Sequence, residues 1–175
     1  MKEIELEKTF LVKRVPSELL VNVSGKDLLD IYFPKETAHP VLRVRKRGDH
    51  MTITKKRMVS QDNASEFIED TIELSTPEYE SLAQIKGKRV HKTRYITAIG
   101  AVRLDLDIFM DDLTGLVLAD FEFKTILEKD DFVAPDWCLT DVTQEEFIAG
   151  GFLAGKKYKD IREHLVRFGY ERPEN

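Results

Sequence analysis

Most of the chain alternates apolar and polar residues with a period of two, which is the pattern of strands that bury one face. In residues 3–12, Glu5, Glu7 and Thr9 fall on one face, and Leu6 and Phe10 fall on the other. Further strand segments are predicted at 28–33, 41–47, 51–56, 67–74, 89–96, 102–109 and 116–123. The pattern therefore predicts a chain made mainly of short strands.

Helical signals are fewer than strand signals. Thr76 and Pro77 suit the start of a helix that runs to Gly87. Thr143 with Glu146 has the spacing of a capping box, and a last helix is predicted over 158–168. Roughly seven or eight strands joined mostly by tight turns favour an α+β, mainly β fold, an antiparallel sheet closed into a barrel. The helices after Thr143 are expected to pack outside this barrel or to plug one end.

Composition excludes several classes of protein. Hydrophobic residues make up 42% of the 175 residues, which excludes a disordered chain. No repeat or linker divides residues 1–175, so we expect a single domain. Lys and Arg number 27 against 32 Asp and Glu, which argues against general nucleic-acid binding. Cys138 is the one cysteine of the sequence, which excludes an internal disulfide and a cysteine-based zinc site.

The sequence also bears on location and on other common sites. It has neither the apolar core of a secretory signal nor an apolar run long enough to span a membrane, so we expect a cytoplasmic protein without membrane association. The absence of GxGxxG and GxxxxGK[ST] segments argues against a dinucleotide site and a P-loop. The histidines are scattered, without HxH or HExxH, which argues against a zinc site.

The polar faces of the predicted strands are heavily charged. The charged positions are Glu5, Glu7, Arg43, Arg45, Lys56, Glu69, Lys92, Arg94, Arg103, Asp105, Asp107, Asp120 and Glu122. One interpretation is a solvated face with weak cross-strand ion pairs, which composition alone favours. The other is a charged barrel interior, in which carboxylates hold Mg²⁺ or Mn²⁺ and basic side chains hold phosphate oxygens.

These charged positions belong to a longer set of motifs. Glu5-Leu6-Glu7-Lys8-Thr9 corresponds to an ExExK signature. Further segments are LRVRKRG (42–48), TITKK (52–56), HKTRY (91–95), DIF (107–109), GLVLADFEF (115–123) and DVT (141–143). In this order, and over nearly the whole chain, they resemble the CYTH superfamily, the triphosphate tunnel metalloenzymes, in its short prokaryotic inorganic triphosphatase-like type.

The resemblance implies an eight-stranded antiparallel barrel whose tunnel binds a triphosphate together with Mg²⁺ or Mn²⁺. It also implies roles for the residues at matching positions. The metal-side carboxylates are Glu5, Glu7, Glu69, Asp107, Asp120 and Glu122. The phosphate clamp is Arg43, Arg45, Lys56, Lys92 and Arg94, with Lys56 selected over Lys55 by strand parity alone. The expected catalytic residues are Glu5, Glu7 and Lys92.

Two positions depart strongly from the family pattern, and a third, Asp120, stands where the family more often has a glutamate, which is a mild change because either carboxylate can bind a metal. Thr9 stands where the signature has its lysine, and Lys8 lies on the opposite face of a regular strand. Phe67 stands where the first of two alternating glutamates is expected, and Glu66 replaces it only if a bulge shifts the strand. Both changes bear on catalysis more than on the fold.

Of the activities known in this family, metal-dependent hydrolysis of a triphosphate is the leading prediction. Inorganic tripolyphosphate is the expected substrate, with ATP and thiamine triphosphate as further candidates. The first alternative is a class IV-like adenylate cyclase, whose adenosine pocket would use Phe33, Tyr95 and Phe109 to stack the base. The second is a polyphosphate- or nucleotide-binding module without catalysis, which Thr9 and Phe67 favour. A homodimer is a candidate assembly.

Overall fold

Eight antiparallel strands of the computed structural model close into a barrel, as the sequence predicts. The structure describes residues 4–60 and 63–173. The barrel strands are β1 (Ile4–Val12), β2 (Lys26–Phe33), β3 (Leu42–Arg47), β4 (His50–Ser60), β5 (Asn63–Glu73), β6 (Lys88–Ile99), β7 (Val102–Phe109) and β8 (Val117–Phe123). Their order around the barrel is β1, β5, β4, β3, β2, β6, β7 and β8.

Short helices follow or connect the strands. They are α1 (Ser17–Leu20), α2 (Thr76–Ala83), α3 (Ile126–Asp130), α4 (Gly150–Leu153) and α5 (Tyr158–Val166). Among the described residues, no helix has the length and apolar character needed to cross a membrane.

Strand β1 closes the barrel because both of its edges are paired. One edge pairs with β8 from Leu6 to Leu11, which places Glu7 directly opposite Glu122. The other edge pairs with β5 through Ile4–Leu6 and then with a short ninth strand, β9 (Cys138–Asp141). This double pairing brings the N-terminal signature next to both β5 and β8.

The apolar faces of most strand segments point outward and are covered by helices and loops. Phe10 and Phe121 pack in one cluster with Trp137, which lies just before β9. Val44 and Met51 form a second cluster with Tyr79 of α2. Two of the hydrophobic clusters therefore lie outside the barrel wall, and the polar strand faces are left to line the interior, which we call the lumen.

The C-terminal helices close one end of the lumen. At this end, apolar residues continue the same strand faces that carry the charges. These lumen residues are Leu11, Tyr32, Val90, Phe109 and Leu118, and they share one cluster with Leu153 of α4 and Ile161 and Leu165 of α5. The predicted helices after Thr143 thus plug an end of the barrel.

Two predicted helix caps are wrong. The helix α2 begins at Thr76, as predicted, but it is capped by Ser75, whose backbone N–H donates to Glu78, and it ends at Ala83 rather than at Gly87. Thr143 caps no helix, because its hydroxyl donates to Asp141 and accepts the backbone N–H of Thr9 at 3.0 Å.

The plug contributes to the stability of the barrel. Leu165 is buried and packs into the cluster at the closed end, whereas the next residue, Val166, is 62% exposed. We expect Leu165→Ala to lower the free energy of unfolding by about 2–5 kcal/mol because it leaves a cavity. The control, Val166→Ala, should change it by less than about 0.5 kcal/mol. Urea unfolding measures both, and equal losses would show that α5 does not pack as described.

Candidate active site

The charged strand faces point into the lumen, which excludes the simpler interpretation of a solvated outer face. Strand parity and the ion pairs place all of the predicted site residues there: Glu5, Glu7, Arg43, Arg45, Lys56, Glu69, Lys92, Arg94, Asp107, Asp120 and Glu122. Their roles remain predictions. The lumen arranges them in three groups, each built around buried cations.

The first group surrounds Lys56 of β4. Its Nζ lies 3.1 Å from Glu7 Oε1, 3.3 Å from Glu5 Oε2 and 3.8 Å from Glu69 Oε1. Burial would lower the pKa of Lys56, but these three carboxylates raise it above its ordinary value. The ring of Phe67 covers the same ammonium, with Nζ 4.1 Å from the ring centroid. Lys55 is exposed on the opposite strand face, so parity selected the correct lysine.

The second group surrounds Arg94 of β6. Its Nε lies 2.6 Å from Asp107 Oδ1, its Nη1 lies 2.5 Å from Asp105 Oδ2, and its Nη2 lies 3.5 Å from Asp120 Oδ2. Lys92 also contacts Asp107. Burial would raise the pKa of Asp107, but the two cations hold it below its ordinary value. Asp107 is therefore ionised and fixed between Arg94 and Lys92.

The third group contains two arginines of β3. Arg45 makes a bidentate pair with Asp30 through Nε and Nη2, both at 2.7 Å, and this pair lowers the pKa of the fully buried Asp30 despite the opposing effect of burial. Arg43 is held more loosely, with its Nη2 3.3 Å from Glu69 Oε1. Within the described residues, the buried Nε of Arg43 has no hydrogen-bond partner. A buried donor without a partner is costly, and an anionic oxygen would satisfy it.

The two departures from the family pattern have clear structural consequences. Thr9 faces the lumen, and its hydroxyl donates to Asp120 Oδ1 at 2.7 Å. Lys8 lies on the outer face, where it lines a cavity of about 460 Å³ with Lys129. Glu66 also lies on the outer side, 3.4 Å from the ammonium of Lys129, so it does not take the place of Phe67.

The lumen carboxylates repel one another at two places. Glu7 lies directly opposite Glu122, and Asp105 directly opposite Asp120, which is unfavourable for like charges. Burial, with the nearby charges of Asp107 and Glu7, raises the pKa of Asp120 to about 6. Partial burial also raises the pKa of Glu122, and the charges of Asp105 and Glu5 add to this effect.

These carboxylates are a donor set that fits a divalent cation. Within residues 4–60 and 63–173, no three His, Cys, Asp or Glu side chains are already arranged around a metal position, because Lys56 and Arg94 lie between the carboxylates. An added cation near Glu7, Asp120 and Glu122 would relieve their repulsion. Oxygen ligands of this kind suit Mg²⁺ and Mn²⁺.

Sequence reasoning assigned no role to three residues of this network. Asp30 lies in the apolar segment LLDIYF. The one sequence feature that pointed to a role for it is its charge, on the same strand face as Leu28 and Tyr32. Asp105 was visible as a charge on the correct face of β7 but was left unassigned. Thr143 reaches the site only through the backbone of Thr9, which no local pattern reveals.

The three aromatic residues expected to stack an adenine base do not come together. Phe33 packs beside the outer cluster at α2, and Tyr95 packs beside the outer cluster that contains Trp137. Phe109 faces the lumen but is buried against the C-terminal plug. The structure therefore gives no support to an adenosine pocket built from these residues.

Comparisons with known proteins agree with the fold. No protein-family model matches the chain. The chain is 31% identical over 144 residues to an inorganic triphosphatase of Nitrosomonas europaea, a match that covers 81% of this chain and 91% of that protein. It also superposes on the crystal structure of the inorganic triphosphatase NE1496 with a TM-score of 0.63, 26% identity and coverage of 87% and 95% of the two chains.

A further solved structure shows the fold alone. The crystal structure of a putative adenylate cyclase from Bacillus halodurans gives a TM-score of 0.54 at 18% identity, with 99% of this chain and 94% of that chain covered. The same barrel is thus present in proteins described by different activities, and the fold by itself does not select between them.

The raised pKa of Asp120 predicts a pH-dependent cost to stability. Because this pKa of about 6 exceeds the ordinary value of 3.8, the native state binds more protons than the unfolded state between these values, and stability falls as pH rises through this window. In the presence of EDTA, we expect Asp120→Asn to raise the free energy of unfolding by about 1–3 kcal/mol near neutral pH. The gain should vanish below about pH 4, where both states are protonated.

Urea unfolding at the two pH values checks this expectation. Asn keeps an oxygen that accepts the hydroxyl of Thr9, so the substitution removes the charge with little change of shape. A gain of equal size at both pH values would contradict the electrostatic explanation.

Proposed function

This chain belongs to the CYTH superfamily, the triphosphate tunnel metalloenzymes, and we propose that its lumen binds inorganic tripolyphosphate with Mg²⁺ or Mn²⁺ and catalyses its hydrolysis. The relative that is 31% identical is an inorganic triphosphatase, and it aligns with 81% of this chain. The chain is accordingly a hydrolase that acts on the phosphoric anhydride bonds of a triphosphate. The substrate, the metal and the individual residue roles are our proposal.

The observation that carries the proposal is the unsatisfied Arg43 Nε among other inward-facing cations. Arg43 and Arg45 come from β3, and Lys92 and Arg94 come from β6. Inside a barrel, where water is limited, such donors interact strongly with phosphate oxygens. A bound triphosphate would take the place of protein carboxylates on these cations, and the metal ion would pair with the carboxylates that are released.

Hydrolysis requires a water that attacks one phosphorus atom while the bridging P–O bond breaks. Glu7, held by Lys56, is placed to accept a hydrogen bond from this water, and Glu5 lies beside it. The negative charge develops on the oxygen that leaves, and Lys92 and Arg94 are the buried cations that would stabilise it. Burial, with repulsion from Arg94 and Arg45, lowers the pKa of Lys92, which makes its ammonium a better proton donor than an ordinary lysine.

The carboxylates of the lumen would hold the metal ion. Our candidates are Glu5, Glu7, Glu69, Asp107, Asp120 and Glu122, and the raised pKa values of Asp120 and Glu122 support these two most strongly. When bound, a divalent ion neutralises charge on phosphate oxygens and helps to orient the substrate. The cytoplasmic location and the candidate homodimer stay predictions from the sequence.

Binding without turnover is the main rival. This alternative rests on Thr9 and Phe67, which stand where the family pattern has a lysine and a glutamate. The lumen therefore has one cation and one carboxylate fewer than that pattern. Substrate binding itself is supported by Arg43, Arg45 and Arg94 of the proposed phosphate clamp, which all face the lumen.

Replacement of Glu7 by Gln distinguishes hydrolysis from simple binding. We expect Glu7→Gln to lower kcat for tripolyphosphate by about 100-fold or more, because an amide is a poor base for the attacking water. The matched control is Glu80→Gln, which removes an exposed carboxylate of α2 and should leave kcat unchanged. Phosphate release with Mg²⁺ measures the rates, and circular dichroism checks that both variants fold.

A Glu7→Gln variant with full activity would overturn the assignment of Glu7. If Glu7→Gln loses both folding and activity, the test is repeated with Glu5→Gln. This variant changes the neighbouring and more exposed carboxylate of the same group.

A further inference from the structure

Arg47 continues the row of arginines on β3 towards the end of the lumen that lies opposite the C-terminal plug, which we call the open end. It follows Arg43 and Arg45 at i, i+2 spacing and therefore lies on the same strand face. Arg43 lies opposite Tyr32, which packs against the C-terminal plug, whereas Arg47 lies opposite Leu28, farther from that plug. The row thus leads away from the closed end.

Arg47 differs from its neighbours because the described part of the chain gives it no carboxylate partner. Arg45 is paired with Asp30, and Arg103 at the same end is paired with Asp105 and Glu122. Arg47 is nevertheless partly buried. Its burial, and the nearby charges of Arg45, Arg94 and Arg103, lower its pKa by more than the charge of Asp105 raises it. The open end of the lumen therefore carries a guanidinium that lies among other cations and makes no ion pair with the described residues.

We propose that Arg47 binds an additional phosphoryl group of a linear polyphosphate, beyond the triphosphate held by Arg43, Arg45 and Arg94. This inference rests on the proposed function, since it extends the same phosphate clamp. A guanidinium presents a planar fork that matches phosphate oxygens, and a phosphoryl group would supply the negative charge that Arg47 lacks. Arg47 would then make the lumen bind tetrapolyphosphate more tightly than tripolyphosphate.

Lys46 supplies a matched control on the same strand. It is the adjacent residue and carries the same charge, but it is exposed on the outer face, where its Nζ lies 6.0 Å from the centroid of the Tyr79 ring. Substitution of Lys46 changes the net charge of the protein by the same amount as substitution of Arg47. A general electrostatic effect would therefore appear in both variants.

Calorimetric titration of the full chain with tripolyphosphate and tetrapolyphosphate, with EDTA and again with Mg²⁺, tests the proposal. We expect Arg47→Gln to weaken tetrapolyphosphate binding about tenfold and tripolyphosphate binding by about twofold or less, since one charge-assisted contact is lost. Arg47→Lys should retain part of the preference for the longer chain, and Lys46→Gln should change neither affinity. Urea unfolding should show Arg47→Gln to be as stable as the wild type, because it removes repulsion between like charges.

The outcomes separate this proposal from the proposed function. Equal effects of Arg47→Gln on both polyphosphates, or the same loss in Lys46→Gln, would overturn the role of Arg47 even if the wild type hydrolyses tripolyphosphate. Failure of the wild type to bind either polyphosphate, with and without Mg²⁺, would overturn both. Selective loss of tetrapolyphosphate binding in Arg47→Gln would support the additional phosphate site whatever the rate of turnover.

Discussion

The pairing of buried charges inside the barrel is the interaction on which the rest of the structure depends. Asp30, Asp105 and Asp107 are almost completely buried, and an arginine or a lysine lies against each of them. These cations hold the pKa values of Asp30 and Asp107 below the ordinary value of an aspartate. Removal of one partner from such a pair costs about 3–5 kcal/mol. A lumen filled with these pairs cannot serve as the main hydrophobic core, so most of the apolar packing lies outside the barrel wall and at the C-terminal plug.

The same network explains how the barrel can accept a polyanion with its metal ion. Buried ion pairs contribute little to net stability compared with apolar packing of the same volume, so their abundance here points to a role in binding. A triphosphate can replace carboxylates on the arginines, while a divalent ion can replace arginines on the carboxylates. Both exchanges would preserve charge pairing, and a bound metal ion would favour the charged forms of Asp120 and Glu122, whose pKa values are raised in its absence.

Alternation of residue types predicted the strands and their two faces, but it could not say which face is enclosed. The number of strands and the tight turns predicted the barrel, and the structure confirms it. The inward direction of Glu5, Arg43 and Lys92 was expected through the family resemblance, and their side chains do face the lumen. The ion-pair partners could not be predicted, because they depend on cross-strand register and on side-chain reach. Asp30 was missed for this reason, since its partner Arg45 lies on the neighbouring strand. Thr143 was misread because its partner is separated from it by 134 residues.

Phosphate release from tripolyphosphate by the wild-type chain, followed across a titration of Mg²⁺ and then of Mn²⁺, distinguishes metal-dependent hydrolysis from simple binding. We expect release of phosphate and pyrophosphate that depends on the metal and stops when EDTA is added. Tight binding of tripolyphosphate without release at any metal concentration would contradict this expectation. The lumen would then be a polyanion-binding site that has lost catalytic activity through the changes at Thr9 and Phe67.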